Sequence, residues 1–258
     1  MTATRPTLLA TTAAALMLVL AGCGVTGPVG TASPSPSASE ADAVATVAVA
    51  GPALTGTGPS PASPGLDLSV PDGTRSVTVE LTCSGGGPFH VELGDSMMLN
   101  QAPLRGTCDG TTTLAWPFTE QTAPTLTVWV LDGVEWEAVP HYSTAEFHRD
   151  EALVADCGSF AEVYSAITNA EQGLTLYGAF DEDEWTARMD DATADLDALV
   201  ATSQSTLTPA FAEILTIVRG PDRQPGSLVP AITPAISPIG SACDANHSPL
   251  ILTAEFGG

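Results

Sequence analysis

His141, Glu146 and His148 are the residues of this chain whose types suit a metal ion. Zinc needs ligands that converge. A His-Glu-x-x-His helix achieves this by setting two imidazoles one turn apart, and the spacing His-x4-Glu-x-His does not. These three are expected as solvated residues of a connecting segment, and no metal or other cofactor is expected. Asp181-Glu182-Asp183-Glu184 could draw calcium, but an EF-hand loop needs glycine at its sixth position, where Thr186 stands. An acidic helix start, favourable to the helix dipole, is the expectation. Ser84-Gly85-Gly86-Gly87 has the glycines of a phosphate or oxyanion loop. A strand pattern follows it rather than a helix, and the chain contains no Gly-x-Ser-x-Gly elbow, so a turn is expected. Trp116, Trp129 and Trp136 would make a sugar platform if they pointed outward. Trp136 is in phase with core positions, and Trp116 with Leu114 and Phe118. Trp129 alone falls opposite Val128 and Val130. Trp129, His141 and His148 are therefore the candidate ligand residues, and no catalytic residue is assigned.

Charge removes whole classes of chemistry. The chain has no lysine; its 7 basic residues are all arginine, against 30 acids, for a net charge of −23. Without lysine there is no Walker-type phosphate loop, no Schiff base and no Ser-x-x-Lys acyl-enzyme. So acidic a surface repels phosphate backbones, and nucleic acid is not expected as a partner. Acidic surfaces also favour solubility outside the cell.

Elements that would position these residues read clearly. Val77, Val79, Leu81 and Cys83 alternate with polar neighbours, as do Phe89, Val91 and Leu93, then Leu126, Val128 and Val130, then Val134, Trp136 and Ala138. Asp132-Gly133 between the last two runs predicts a hairpin, and Asp72-Gly73 and Asp109-Gly110 predict further turns. Six or seven short strands over residues 65–140 predict an antiparallel β-sandwich. Near Tyr142 the period changes. Phe160, Val163, Tyr164 and Ile167 lie at helical spacing, with Gly173 as the expected stop. Trp185, Met189, Ala192, Leu196 and Leu199 form a second stripe, headed by a capping pair Asp181/Glu184. Thr208-Pro209 opens a third helix that ends at Gly220-Pro221. In the near-repeat Val229-Pro-Ala-Ile, Thr233-Pro-Ala-Ile, Ser237-Pro-Ile-Gly, proline at every fourth residue opposes a regular helix. Only a short helix starting at Ser237-Pro238 is expected there.

At the start of the chain, Arg5, an apolar run from Leu8 to Leu20, and Leu20-Ala21-Gly22-Cys23 make the three parts of an export signal. The last four residues resemble the bacterial lipobox. That resemblance implies cleavage after Gly22, a diacylglycerol thioether on Cys23, and anchoring at the extracytoplasmic face of the cell membrane. Two acyl chains suffice for stable anchoring where one is marginal. Lack of lysine and the Ala, Thr, Gly and Pro bias are similar to those of GC-rich actinobacterial proteins. Cys157 before Phe160 and Tyr164, Gly173-Leu174-Thr175, and Cys243-Asp244-Ala245-Asn246 are together similar to helical regions of some actinobacterial surface lipoproteins of unassigned activity. That likeness covers about 100 residues and implies no catalytic residue.

With Cys23 given to lipid, four cysteines remain, and in an exported chain these predict disulfides. Four allow three connectivities. The change of period near His141 makes Cys83–Cys108 and Cys157–Cys243 the economical choice. The expected organisation is a signal over residues 1–22, a lipidated Pro/Ser/Gly-rich tether over 23–64, a β-sandwich over 65–140, and a helical domain with an irregular proline-rich end over 141–258. The expected class is α+β, an N-terminal antiparallel β-sandwich followed by a small disulfide-tied helical bundle. The expected role is non-enzymatic, at the cell envelope, with the membrane as partner through Cys23 and a protein or envelope glycan as a further one. A carbohydrate or cell-wall binding module and a small carboxylate-dependent hydrolase stand as alternatives.

Overall fold

In the computed structural model, residues 48–59, 65–221 and 223–257 are described. Seven antiparallel strands come first: β1 (Ala48–Ala50), β2 (Leu54–Thr57), β3 (Leu66–Asp67), β4 (Ser76–Leu93), β5 (Leu104–Pro117), β6 (Thr125–Trp129) and β7 (Glu135–Ser143). Four helices follow: α1 (Glu151–Thr175), α2 (Glu182–Thr202), α3 (Thr208–Val218) and α4 (Leu228–Ala245).

Hydrogen bonding joins all seven strands into one curled sheet, in the order β1-β7-β4-β6-β3 with β5 and β2 alongside β4 and β7. The two runs expected as separate strands at residues 77–83 and 89–93 are a single strand, β4. Ser84 to Gly87 is a bulge within it, not a turn, and shifts the register against β5 between Ser84 and Pro88. Gly85 and Gly86 take φ of +123° and +72°, a backbone that only glycine enters at little cost. Asp109-Gly110, expected as a turn, lies across the ladder at the same level, with Ser84 opposite Asp109 and Cys83 opposite Gly110. Asp132-Gly133 turns the chain without making a hairpin. β6 pairs with residues 90–93 of β4 and β7 with residues 76–83, so the two strands follow one another along the same edge. The alternation on either side of the bulge holds because Val77, Val79, Leu81, Phe89, Val91 and Leu93 all face the same core.

Part of the segment expected as tether is strand. β1 and β2 fall within residues 23–64 and pair with β7. Backbone pairing rather than burial places them, since β1 is exposed throughout and β2 at every second residue. Gly56 lets the Trp136 ring lie across β2, since a Cβ there would sit 2.5 Å from the ring.

Asp150 caps α1 through bonds from the backbone of Ala152 and Leu153 at 2.9 and 3.2 Å. The helix continues past the expected stop at Gly173, which serves packing instead: a Cβ would meet Phe180 at 2.4 Å. Asp181 caps α2 by accepting from Glu184 N at 3.0 Å. The α2 stripe buries Trp185, Met189, Ala192, Leu196 and Leu199. The proline near-repeat is the clearest departure, because α4 is one helix with Pro234 and Pro238 inside it. Pro230, Pro234 and Pro238 share the exposed face, where water can reach the carbonyls that lose their partners. Leu228, Ile232, Ala235, Ile239 and Cys243 form the buried face and hold the helix in place. α1 packs on α2, α2 on α3, α3 on α4 and α4 on α1, around Phe160 and Phe211.

Two disulfides are present: Cys83–Cys108, 25 residues apart beside the sheet bulge, and Cys157–Cys243, 86 apart, joining α1 to α4. Contacts also cross from helices to sheet, with α4 against β5.

Candidate functional site

The expected ligand residues are not brought to one place. His141 stands in β7 with Nε2 3.7 Å from Glu80 Oε2, beyond hydrogen-bond reach. Glu146 pairs with Arg75. His148 is exposed in the segment before α1. No group of three or more His, Cys, Asp or Glu suited to a metal occurs among the described residues. Cys23 lies outside the described residues. Trp116 and Trp136 are buried, and Trp129 is 41% exposed at the end of β6.

Trp129 has company that its own strand does not reveal. It is register-paired with His90 of β4, which is paired in turn with Arg105 of β5. The Trp129 and His90 rings meet edge-on, centroids 5.3 Å apart. On the Arg105 side a groove of about 470 Å³ opens between the sheet and α4. β4 and β5 contribute His90, Arg105 and Thr107, and α4 contributes Ser237, Ser241 and Asp244. Gly240 also lines it, with open space where a side chain would begin.

Electrostatics distinguish this groove. Arg105 takes part in none of the ion pairs among the described residues, although the chain holds so few cations. Burial lowers the His90 pKa; the Arg105 charge adds to this and Glu92 opposes it. The His90 ring is thereby held toward its neutral form, which both donates and accepts. Burial raises the Asp244 carboxyl, with Arg105 opposing. A free guanidinium, a neutral imidazole and several hydroxyls suit a small polar molecule with an anionic or carbonyl oxygen. Asp244 is the one carboxylate in the groove, whereas acid–base hydrolysis of a glycoside uses two.

The groove's geometry depends on a latch that no local sequence pattern marks. Asn246 accepts from Asp150 N at 2.8 Å and donates to Asp150 O at 3.0 Å. His247 is 4% exposed, with Nε2 2.8 Å from the Ala115 carbonyl of β5. That bond requires the proton on Nε2, and Nδ1 has no partner among the described residues. Phe147 packs edge-on against the ring. The end of α4 is thereby fixed both to the sheet and to the start of α1. Arg105, as one of very few cations, carried a sequence signal. His90, Ser241 and Asp244 carried none, because only the packing of α4 on β5 brings them together. No protein-family model, no curated protein and no solved structure matches the chain.

Proposed function

We propose that this chain is a lipid-anchored protein of the extracytoplasmic face of the cell membrane, with a non-enzymatic binding or interaction role at the cell envelope. Its use of cysteine carries the reading. Of 5 cysteines, four are consumed in two internal bridges, which leaves Cys23 of Leu20-Ala21-Gly22-Cys23 as the thiol for lipid. Such bridges persist in oxidising compartments, which supports export. Strong acidity and lack of lysine disfavour nucleic acid as a partner and leave membrane attachment to the lipid. The finer architecture belongs to the same reading: a curled sheet folded over as a β-sandwich, and four helices closed as a small bundle, carried on a tether. The test is detergent phase partition with intact mass measurement. Wild-type protein is expected in the detergent phase, carrying the added mass of a diacylglycerol, and Cys23→Ala in the aqueous phase. A wild-type protein that partitions as Cys23→Ala does would refute the anchor.

The Arg105–His90–Trp129 row beside the α4 groove favours a second reading, a carbohydrate or cell-wall ligand. Calorimetric titration with acidic cell-wall glycan fragments is expected to show saturable binding, weakened about tenfold or more by Arg105→Ala or Trp129→Ala. Binding insensitive to both substitutions would place the glycan elsewhere.

A further inference from the structure

Residues 250–257 cross α1 and α2, without a bend as far as Ala254 and then bending at Glu255 and Phe256, and their backbone is read by side chains. Asn169 donates from Nδ2 to the Thr253 carbonyl at 2.8 Å and accepts the Glu255 N–H on Oδ1 at 2.9 Å. Ser165 Oγ accepts the Thr253 N–H at 3.0 Å. A carboxamide that bonds both backbone groups of an extended strand holds it whatever its side chains are. Selectivity comes next along the segment. Arg188, already paired with Glu184, bonds Glu255 Oε2 at 2.7 Å. Phe256 stacks on Tyr177 at 5.8 Å and meets Phe180 at 6.0 Å. Gly173 leaves the room for this, since a Cβ there would lie 2.8 Å from Phe256. The segment does not fill the depression. Beside it a groove of about 440 Å³ stays open between α1 and α2. Between Leu250, which packs on the helical core, and Phe256, Ile251 and Leu252 remain 66% and 46% exposed, so the middle of the segment is held by its backbone bonds.

We infer that the α1–α2 face is a peptide-recognition site for extended segments in which an acid precedes an aromatic residue, and that residues 250–257 are its resident, displaceable ligand. Asn169 and Ser165 grip the backbone, Arg188 selects the acid, and the Gly173–Tyr177–Phe180 pocket selects the aromatic ring. This site is separate from the anchor and from the α4 groove, and stands or falls independently of both.

The test uses the full chain with Glu255→Arg and Phe256→Ala, which loosen the resident segment and leave the groove side chains in place. A fluorescein-labelled peptide of the native 250–257 sequence is titrated by anisotropy. Saturable binding is expected, at least about tenfold tighter than to the wild-type chain, whose own segment competes at high effective concentration. Adding Asn169→Ala should weaken it by about tenfold or more. No binding by a variant with native circular dichroism, or binding indifferent to Asn169→Ala, would overturn the proposal. If the double variant does not fold, hydrogen exchange on the wild-type chain decides: excess peptide should speed exchange at the Thr253 and Glu255 amides, and unchanged exchange would overturn the displaceable-ligand reading.

Discussion

Glu171 brings a carboxylate into the helical core with 4% of its surface exposed. It accepts from Trp185 Nε1 at 3.0 Å and from the Leu228 backbone at 3.4 Å. Ser227, the N-cap residue of α4, makes no side-chain cap bond, so Glu171 caps that helix from a neighbouring one. Burial raises its pKa despite these bonds. The folded chain therefore holds this proton more tightly than the unfolded chain. The Glu171 contribution to stability is complete below its unfolded value of 4.5 and is lost as pH rises through the higher folded value. Asp244 acts in the same sense above its unfolded 3.8. His247 acts in the opposite sense. Burial, opposed by the Ala115 bond and assisted by the Arg149 charge, lowers its pKa, so its contribution is present above 6.5 and is lost as pH falls through the folded value. Glu171→Gln should therefore flatten the decline of stability on the alkaline side of pH 4.5. Urea midpoints measured at steps from pH 4 to 8 check this, and a slope unchanged from wild type would contradict it. Neither Glu171 nor His247 stands out in the sequence, since each owes its role to a partner at least 14 residues away.

Among the helices, two glycines separate propensity from packing. Gly173 in α1 and Gly240 in α4 both stand inside helices, where glycine costs about 0.5–1 kcal/mol against alanine. Gly240 has nothing within 4 Å of its absent Cβ, so Gly240→Ala should stabilise by about that amount. At Gly173 the Cβ would meet Phe180 at 2.4 Å, and Gly173→Ala should destabilise by about 1–3 kcal/mol through overpacking. Thermal melts of the two variants should move in opposite directions, and shifts of the same sign would contradict the packing argument. The sequence marked Gly173 as a helix stop because glycine's local meaning is conformational. The close approach of Phe180 and Phe256 is long-range and leaves no local trace. α4 teaches the reverse. Its prolines are strong local breakers, yet five buried residues on the opposite face outweigh them.

Across the whole molecule, the bridges constrain unequal lengths of chain. In the chain-entropy model, removing Cys157–Cys243 by paired alanine substitution should cost about 4–5 kcal/mol, and removing Cys83–Cys108 about 3 kcal/mol. Denaturant unfolding of the two paired variants measures the difference, and a larger loss at Cys83–Cys108 would contradict the loop-length argument. Period-two alternation in β4, β6 and β7 and the α2 stripe were legible from the sequence by itself, because a residue's face in a strand or helix depends on its near neighbours alone. Charge and the missing lysine were legible for the same kind of reason: composition excludes chemistry wherever the chain folds. Strand partners were not. Whether Asp132-Gly133 closes a hairpin or turns a corner depends on which edge of β4 is free. The placing of Arg105 and Asp244 in one groove, and the bond of Asn169 to Thr253, join residues 139 and 84 positions apart. Local patterns set which faces are apolar, and only packing those faces together brings such distant polar groups into one place.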